Sequence, residues 1–205
     1  MKIKDVLHFQ YEIAGHVLIF LNGVWWAIRD SLFPPNEDAV LFVAHPDDDS
    51  LFFYSFIKEK HPYVVLLTTG GIIRRVFPFY RAMKSYGVRY RAFDFPSRDI
   101  TREDILVDRI SGVLEKGSFK ICATHNIEGE YGHIMHKCVH RCVKKAWKNE
   151  LYVPACESSI DMYPLEPQKM EEKNKFLQTY YKGEYPTLCT FRKWINNEKI
   201  ERTDV

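Results

Sequence analysis

Apolar and polar positions along this chain fall into two alternating rhythms. Short, nearly continuous apolar runs rich in β-branched residues occur at 40–44 (VLFVA), 63–69 (YVVLLTT), 119–124 (FKICAT) and 150–153 (ELYV), with a less regular run at 89–95. Runs of this length bounded by turn residues predict buried strands. Between them, apolar residues recur three and four apart, which predicts helices over 50–60, 74–86, 101–116, 132–147 and 168–181. Gly70-Gly71 and Gly117 punctuate the series. Thr101 and Asp104 have the spacing of an acidic capping pair. Pro78 stands as an obstacle in the first turns of its helix. Strands alternating with helices imply βαβ units with right-handed crossovers. The expected fold is α/β: a Rossmann-like, mostly parallel sheet of about five strands flanked by helices. It forms a single domain over residues 36–205, without internal repeat or low-complexity linker.

Residues 1–35 stand apart as an N-terminal apolar and aromatic segment. The stretch 11–29, YEIAGHVLIFLNGVWWAIR, predicts a helix interrupted by His16 and Asn22. It falls a little short of the ~20 apolar residues that a membrane span requires. Trp25 and Trp26 beside Arg29 resemble an interfacial anchor. Packing on the domain, or a subunit contact, is favoured over attachment to a membrane surface, and attachment over a span. Pro34-Pro35-Asn36 breaks the chain before the first strand.

Composition narrows the picture only modestly. A chain of 205 residues with 46% hydrophobic content can bury one good core. A formal charge of +2 gives no polyelectrolyte signal, so nucleic acid is not an expected partner. Five irregularly spaced cysteines read as reduced thiols, and the start shows no secretory signal. The expected location is cytoplasmic, with membrane-surface association through the N-terminal helix as the variant. An oligomer remains open.

The chemistry gathers at two places. The first strand run ends in His45-Pro46-Asp47-Asp48-Asp49, one imidazole and three carboxylates at the carboxyl end of a strand. Open α/β sheets place their ligands at such ends. His45 and Asp48, with one further ligand, would leave an open metal position, as catalytic zinc does. The plain alternative is an Asp-rich turn that caps a helix. The second place is His125-Asn126-Ile127-Glu128-Gly129-Glu130-Tyr131-Gly132-His133-Ile134-Met135-His136, after another predicted strand. On a helix, His133, His136 and His140 share one arc of roughly 60° at the seam between the apolar and polar faces. Cys138 and Cys142 point to the opposite, core side. His125 reads first as a loop residue bordering a cleft. The basic arc from Lys137 to Lys148 reads as a solvated face.

A-H-P-D-D at 44–48 together with G-E-Y-G-H-I-M-H at 129–136 resembles the PIG-L/LmbE family of zinc-dependent N-deacetylases. The agreement runs from about Ala39 to about His140. The resemblance implies zinc, or Fe2+ in its place, held by His45, Asp48 and His136. It implies Asp47 as general base and His133 as the charged partner of the tetrahedral intermediate. Tyr131 and Arg75 would bind substrate, Arg75 opening a family helix that Ala82 and Gly87 also fit. His140 divides evenly between orienting the site from behind and packing. The chain departs from the pattern at Asp49, Met135, Pro78 and Tyr86, and none of these removes a proposed ligand. The implied reaction is removal of acetyl from an N-acetylated, N-acetylglucosamine-type sugar conjugate. If Arg75 acts, its planar fork suits a substrate phosphate or carboxylate. Two rivals stand beside this expectation. One is hydrolysis of an amide or ester on an antibiotic- or nucleoside-like substrate. The other is a degenerate, non-enzymatic module that binds a membrane or partner.

Overall fold

The computed structural model describes residue 17 and residues 21–69, 73–95 and 101–203. Its centre is a six-stranded sheet in the order β3-β2-β1-β4-β5-β6. The strands are β1 (Ala39–Val43), β2 (Tyr63–Thr68), β3 (Tyr90–Phe95), β4 (Ile121–Ala123), β5 (Leu151–Pro154) and β6 (Ile200–Thr203). The first five are parallel and β6 pairs antiparallel with β5. This is the expected Rossmann-like arrangement with one strand more than anticipated. β6, with sequence IERT, is short, charged and partly exposed, so it lacks the apolar run that announced the others.

Alternate residues of each central strand feed two separate cores, as the two-residue period of a strand requires. Leu41, Val43, Val64 and Leu66 pack on one face beneath α2 (Asp48–Phe52), α3 (Tyr54–Lys60), α4 (Ile73–Tyr86), α7 (Pro167–Tyr180), α8 (Tyr185–Leu188) and α9 (Arg192–Asn196). Val40, Phe42, Val65 and Leu67 pack on the other, beneath α5 (Glu103–Leu114) and α6 (Ile134–Ala146). β1 and β4 are neighbours, with Leu41 opposite Ala123. From β1 the order runs outward through β2 and β3 on one side and through β4 and β5 on the other. The crevice between the carboxyl ends of β1 and β4 is therefore the topological switch point.

Two local expectations are corrected and a third is met. The helix expected over 50–60 is two helices, α2 and α3, because Phe53 between them leaves helical geometry. Thr101 is not the cap of α5; Arg102 occupies that position. α4 continues through Pro78.

The first helix, α1, covers residues 21–32, and residue 17 is helical as well. Trp26 is buried against Tyr80 and Tyr90, with ring centroids at 5.6 and 6.1 Å. Asp30 is buried among cations: Arg29 donates to it at 2.7 Å, and Tyr63 Oη donates at 2.6 Å. Arg29 also reaches the carbonyl of Tyr90 at 3.1 Å. These contacts hold α1 on the domain, while Leu21, Val24, Trp25, Ile28 and Leu32 remain exposed. Among the described residues no helix is long and apolar enough to cross a membrane. Most of the apolar stretch 11–20 lies outside the described residues.

Candidate metal centre

β1 delivers His45 to the switch point and then turns sharply. Asp47 adopts φ 101° and ψ −31°, backbone that glycine adopts far more readily than aspartate. That turn starts α2 and folds Asp48 back, so that its Oδ2 accepts the backbone N–H of His45 at 2.7 Å. From the β4 side, a loop with left-handed residues at Gly129, Glu130 and Gly132 leads into α6. A side chain at Gly129 would meet the His133 carbonyl at 2.5 Å, so the turn there requires glycine. α6 then carries His136 into the crevice, fully buried.

The result is a triangle. His45 Nδ1 lies 3.2 Å from His136 Nε2, and Asp48 Oδ2 lies 3.3 Å from each of them. Ligands bonded to zinc at ~2.0–2.1 Å in a tetrahedron sit about 3.3–3.4 Å apart. The donor set, its spacing and its burial therefore fit a divalent metal ion. Glu130 Oε2 lies 2.6 Å from His136 Nδ1 and accepts its N–H, which leaves the Nε2 lone pair facing the triangle. Burial alone would raise the Asp48 pKa, but the imidazoles of His136, His125 and His45 hold it well below the usual carboxylate range. His45 is pushed down, chiefly by burial, towards the neutral form a ligand needs.

His125 does not border the cleft as a loop residue; it is completely buried beside the site. Two further triads approach closely enough to hold a metal: His45, His133 and His136, and Asp48, His125 and His136. The nitrogens of His125 are committed elsewhere, however. The Ala44 N–H donates to its Nε2 at 2.9 Å, and its Nδ1 lies 3.0 Å from Glu130. His45 is the better third donor. His140 bonds the His125 carbonyl through Nδ1 at 2.8 Å and so steadies this support from behind.

Asp47 and His133 flank the triangle. Burial, and next Asp48, hold the Asp47 carboxyl well above its usual range, against the pull of Arg75. Arg75 Nη2 is 3.7 Å from Asp47 Oδ2. His133 accepts the Met135 N–H at Nδ1, so its remaining proton sits on Nε2. Burial, then His136 and His45, lower its pKa to about 4. That lowering favours the uncharged imidazole, with its proton on Nε2, in the free site.

These groups open into a cavity of about 820 Å³, lined also by Leu51, Arg75 and Tyr131 and, from the carboxyl-terminal part, by Glu184, Thr187, Leu188 and Phe191. Tyr131 packs on Phe191 with centroids 4.4 Å apart. Two kinds of participant escaped the sequence reading. Glu130 was visible only as one acid among several, although an acid between two glycines hints at a constrained turn. Glu184, Thr187 and Phe191 carry no motif and reach the pocket only through the packing of the carboxyl-terminal helices.

The fold and site define an α/β protein with a buried aspartate–histidine cluster able to hold a metal. No protein-family model matches the chain. It is 22% identical over 172 residues to uncharacterized protein L374 of Acanthamoeba polyphaga mimivirus, covering 72% of this chain and 76% of that one. Two solved structures share its fold. One is GalB, the 4-carboxy-2-hydroxymuconate hydratase of Pseudomonas putida KT2440. Its TM-score is 0.56 at 14% identity, over 69% of this chain and 78% of GalB. The other is the A40926 pseudoaglycone deacetylase Dbv21. Its TM-score is 0.54 at 13% identity, over 75% of this chain and 84% of Dbv21.

Proposed function

We propose that the protein is a metal-dependent hydrolase that removes the acetyl group from an N-acetylated amino sugar, in the manner of PIG-L/LmbE deacetylases. The observation that carries this reading is the His45–Asp48–His136 triangle with Asp47 and His133 at its rim. The shared fold by itself does not choose a reaction, since it serves both a hydratase and a deacetylase. A bound zinc would polarise the acetyl carbonyl and acidify a water. Asp47, beside a ligand yet outside the triangle, takes the water's proton and passes it to the departing amine. His133 presents Nε2–H to the developing oxyanion, a contribution of about 3–4 kcal/mol for one well-placed donor. Glu130 keeps His136 in the metal-binding tautomer.

The Dbv21 likeness keeps an antibiotic-type acyl substrate as the second reading. A purely binding role is disfavoured, because a fully assembled donor triangle serves no apolar docking. The test is metal content together with acetate release from a panel of N-acetylglucosamine conjugates, for wild type and Asp47→Asn. One metal per chain, amine release by wild type, and retained metal without turnover in the variant support the reading. A bound metal with no sugar cleaved moves it to the antibiotic-type substrate. No metal after reconstitution ends it.

A further inference from the structure

We propose that Glu184 makes the pocket select an uncharged N-acetylhexosamine end over the same sugar carrying a phosphate or carboxylate; the inference rests on the proposed deacetylation. Arg75 is the one lysine or arginine among the described residues lining the pocket. Its guanidinium stands between two carboxylates. Nη2 is 3.7 Å from Asp47 Oδ2, and Nε is 3.8 Å from Glu184 Oε1. A cation already facing two carboxylates has little uncompensated charge for an incoming anion. A phosphate at this spot would meet the Glu184 carboxylate at close range, and such a like-charge clash is an effective way to reject a ligand.

The same pair suits hydroxyl groups. Arg75 offers N–H donors and Glu184 accepts, so neighbouring hydroxyls of a sugar can satisfy both. Tyr131, Phe191, Leu51 and Leu188 supply an apolar wall for the C–H face of the ring. Glu184 is fixed relative to the metal triangle. Its N–H bonds the Tyr181 carbonyl at 3.0 Å, and its carbonyl accepts from Thr187 and Leu188 at 2.9 and 3.0 Å. Tyr181 Oη in turn donates to Asp49 Oδ1 at 2.6 Å, next to the ligand Asp48. The wall that carries Glu184 is thereby tied to the turn that carries the chemistry. On this proposal Arg75 would bind sugar hydroxyls in place of the substrate phosphate or carboxylate that its fork also suits.

The experiment is calorimetric binding of N-acetylglucosamine and its 6-phosphate to the zinc-loaded full chain, as wild type, Glu184→Gln and Glu184→Asp. Deacetylation of both sugars is measured alongside. Removing one close charge should tighten the phosphate roughly tenfold and weaken the neutral sugar roughly threefold. The wild-type preference would then fall about thirtyfold in Glu184→Gln, and Glu184→Asp would restore part of it. A purely structural role for Glu184 would not give that charge-dependent rescue. An affinity ratio unchanged by Glu184→Gln overturns the inference even if deacetylation stands, and so does failure of both sugars to bind wild type. The ratio shift without any cleavage supports Glu184 as the selecting group while removing the proposed reaction.

Discussion

Replacing Asp47 should separate stability from chemistry. The residue holds φ 101°, a conformation that costs a side-chain-bearing residue about 1–3 kcal/mol. Its carboxyl is buried beside Asp48, and both burial and that neighbour penalise ionisation. Asp47→Gly relieves the backbone strain but loosens the unfolded chain by about 0.5–1 kcal/mol. Asp47→Ala removes the carboxylate and keeps the strain. The Gly variant should therefore be more stable than the Ala variant by about 1 kcal/mol, the strain less the entropy. For a chain of this size that is about 2–4 °C in Tm. Losing Arg75 as a partner hardly disturbs the comparison, since that contact is long and is lost equally in both variants. The assay is calorimetric unfolding of the metal-free variants at pH 7, with turnover measured on the metal-loaded forms. Both variants should lose turnover by about 10²–10⁴-fold. An Ala variant as stable as the Gly variant would refute the claim that the turn is strained.

Other predictions follow from the same contacts. Glu130→Gln should weaken metal binding about 10–100-fold in competition with a chelator, because His136 loses the carboxylate that fixes its tautomer. Burial alone would raise the Glu130 pKa, but His125 and His136 bring it down to about 2, below its ordinary 4.5. The stability this gives is present above pH ~4.5 and is lost as pH falls towards ~2, an effect of about 3 kcal/mol. Glu130→Gln should flatten acid unfolding in that window; an unchanged acid limb would contradict the assignment. Trp26→Ala should cost about 3 kcal/mol or more, as for a buried aromatic. Trp25→Ala, on the exposed face of α1, should change stability by less than about 0.5 kcal/mol. Equal effects in denaturant titrations would mean that α1 is not docked as described.

Much of this architecture was legible along the chain. The runs at 40–44 and 63–69 are so continuously apolar that only central, doubly covered strands suit them. The alternation of such runs with helical periods leaves a parallel sheet as the consistent outcome. His45 and Asp48 could be singled out because polar ligands after an apolar strand run occupy the place where α/β sheets bind, whereas His136 was picked out from the three histidines of its helix only through the PIG-L/LmbE resemblance. Sequence spacing could not supply the 3.2–3.3 Å triangle, because its corners come from two strand ends that only the β1–β4 pairing brings together. Nor could it reveal His125 as a buried support, since its surroundings are set by the Ala44 N–H and by Glu130 in a left-handed turn. The protonation of His133 likewise depends on burial and on two neighbouring imidazoles, neither of which is a property of its own segment. Glu184 and Phe191 belong to the same class. They lie more than forty residues beyond the last motif, in a stretch without periodic pattern, and enter the pocket because α7 and its tyrosine dock on Asp49. Local pattern determined which residues could do chemistry; long-range packing decided which of them meet, in what charge state, and what stands opposite them.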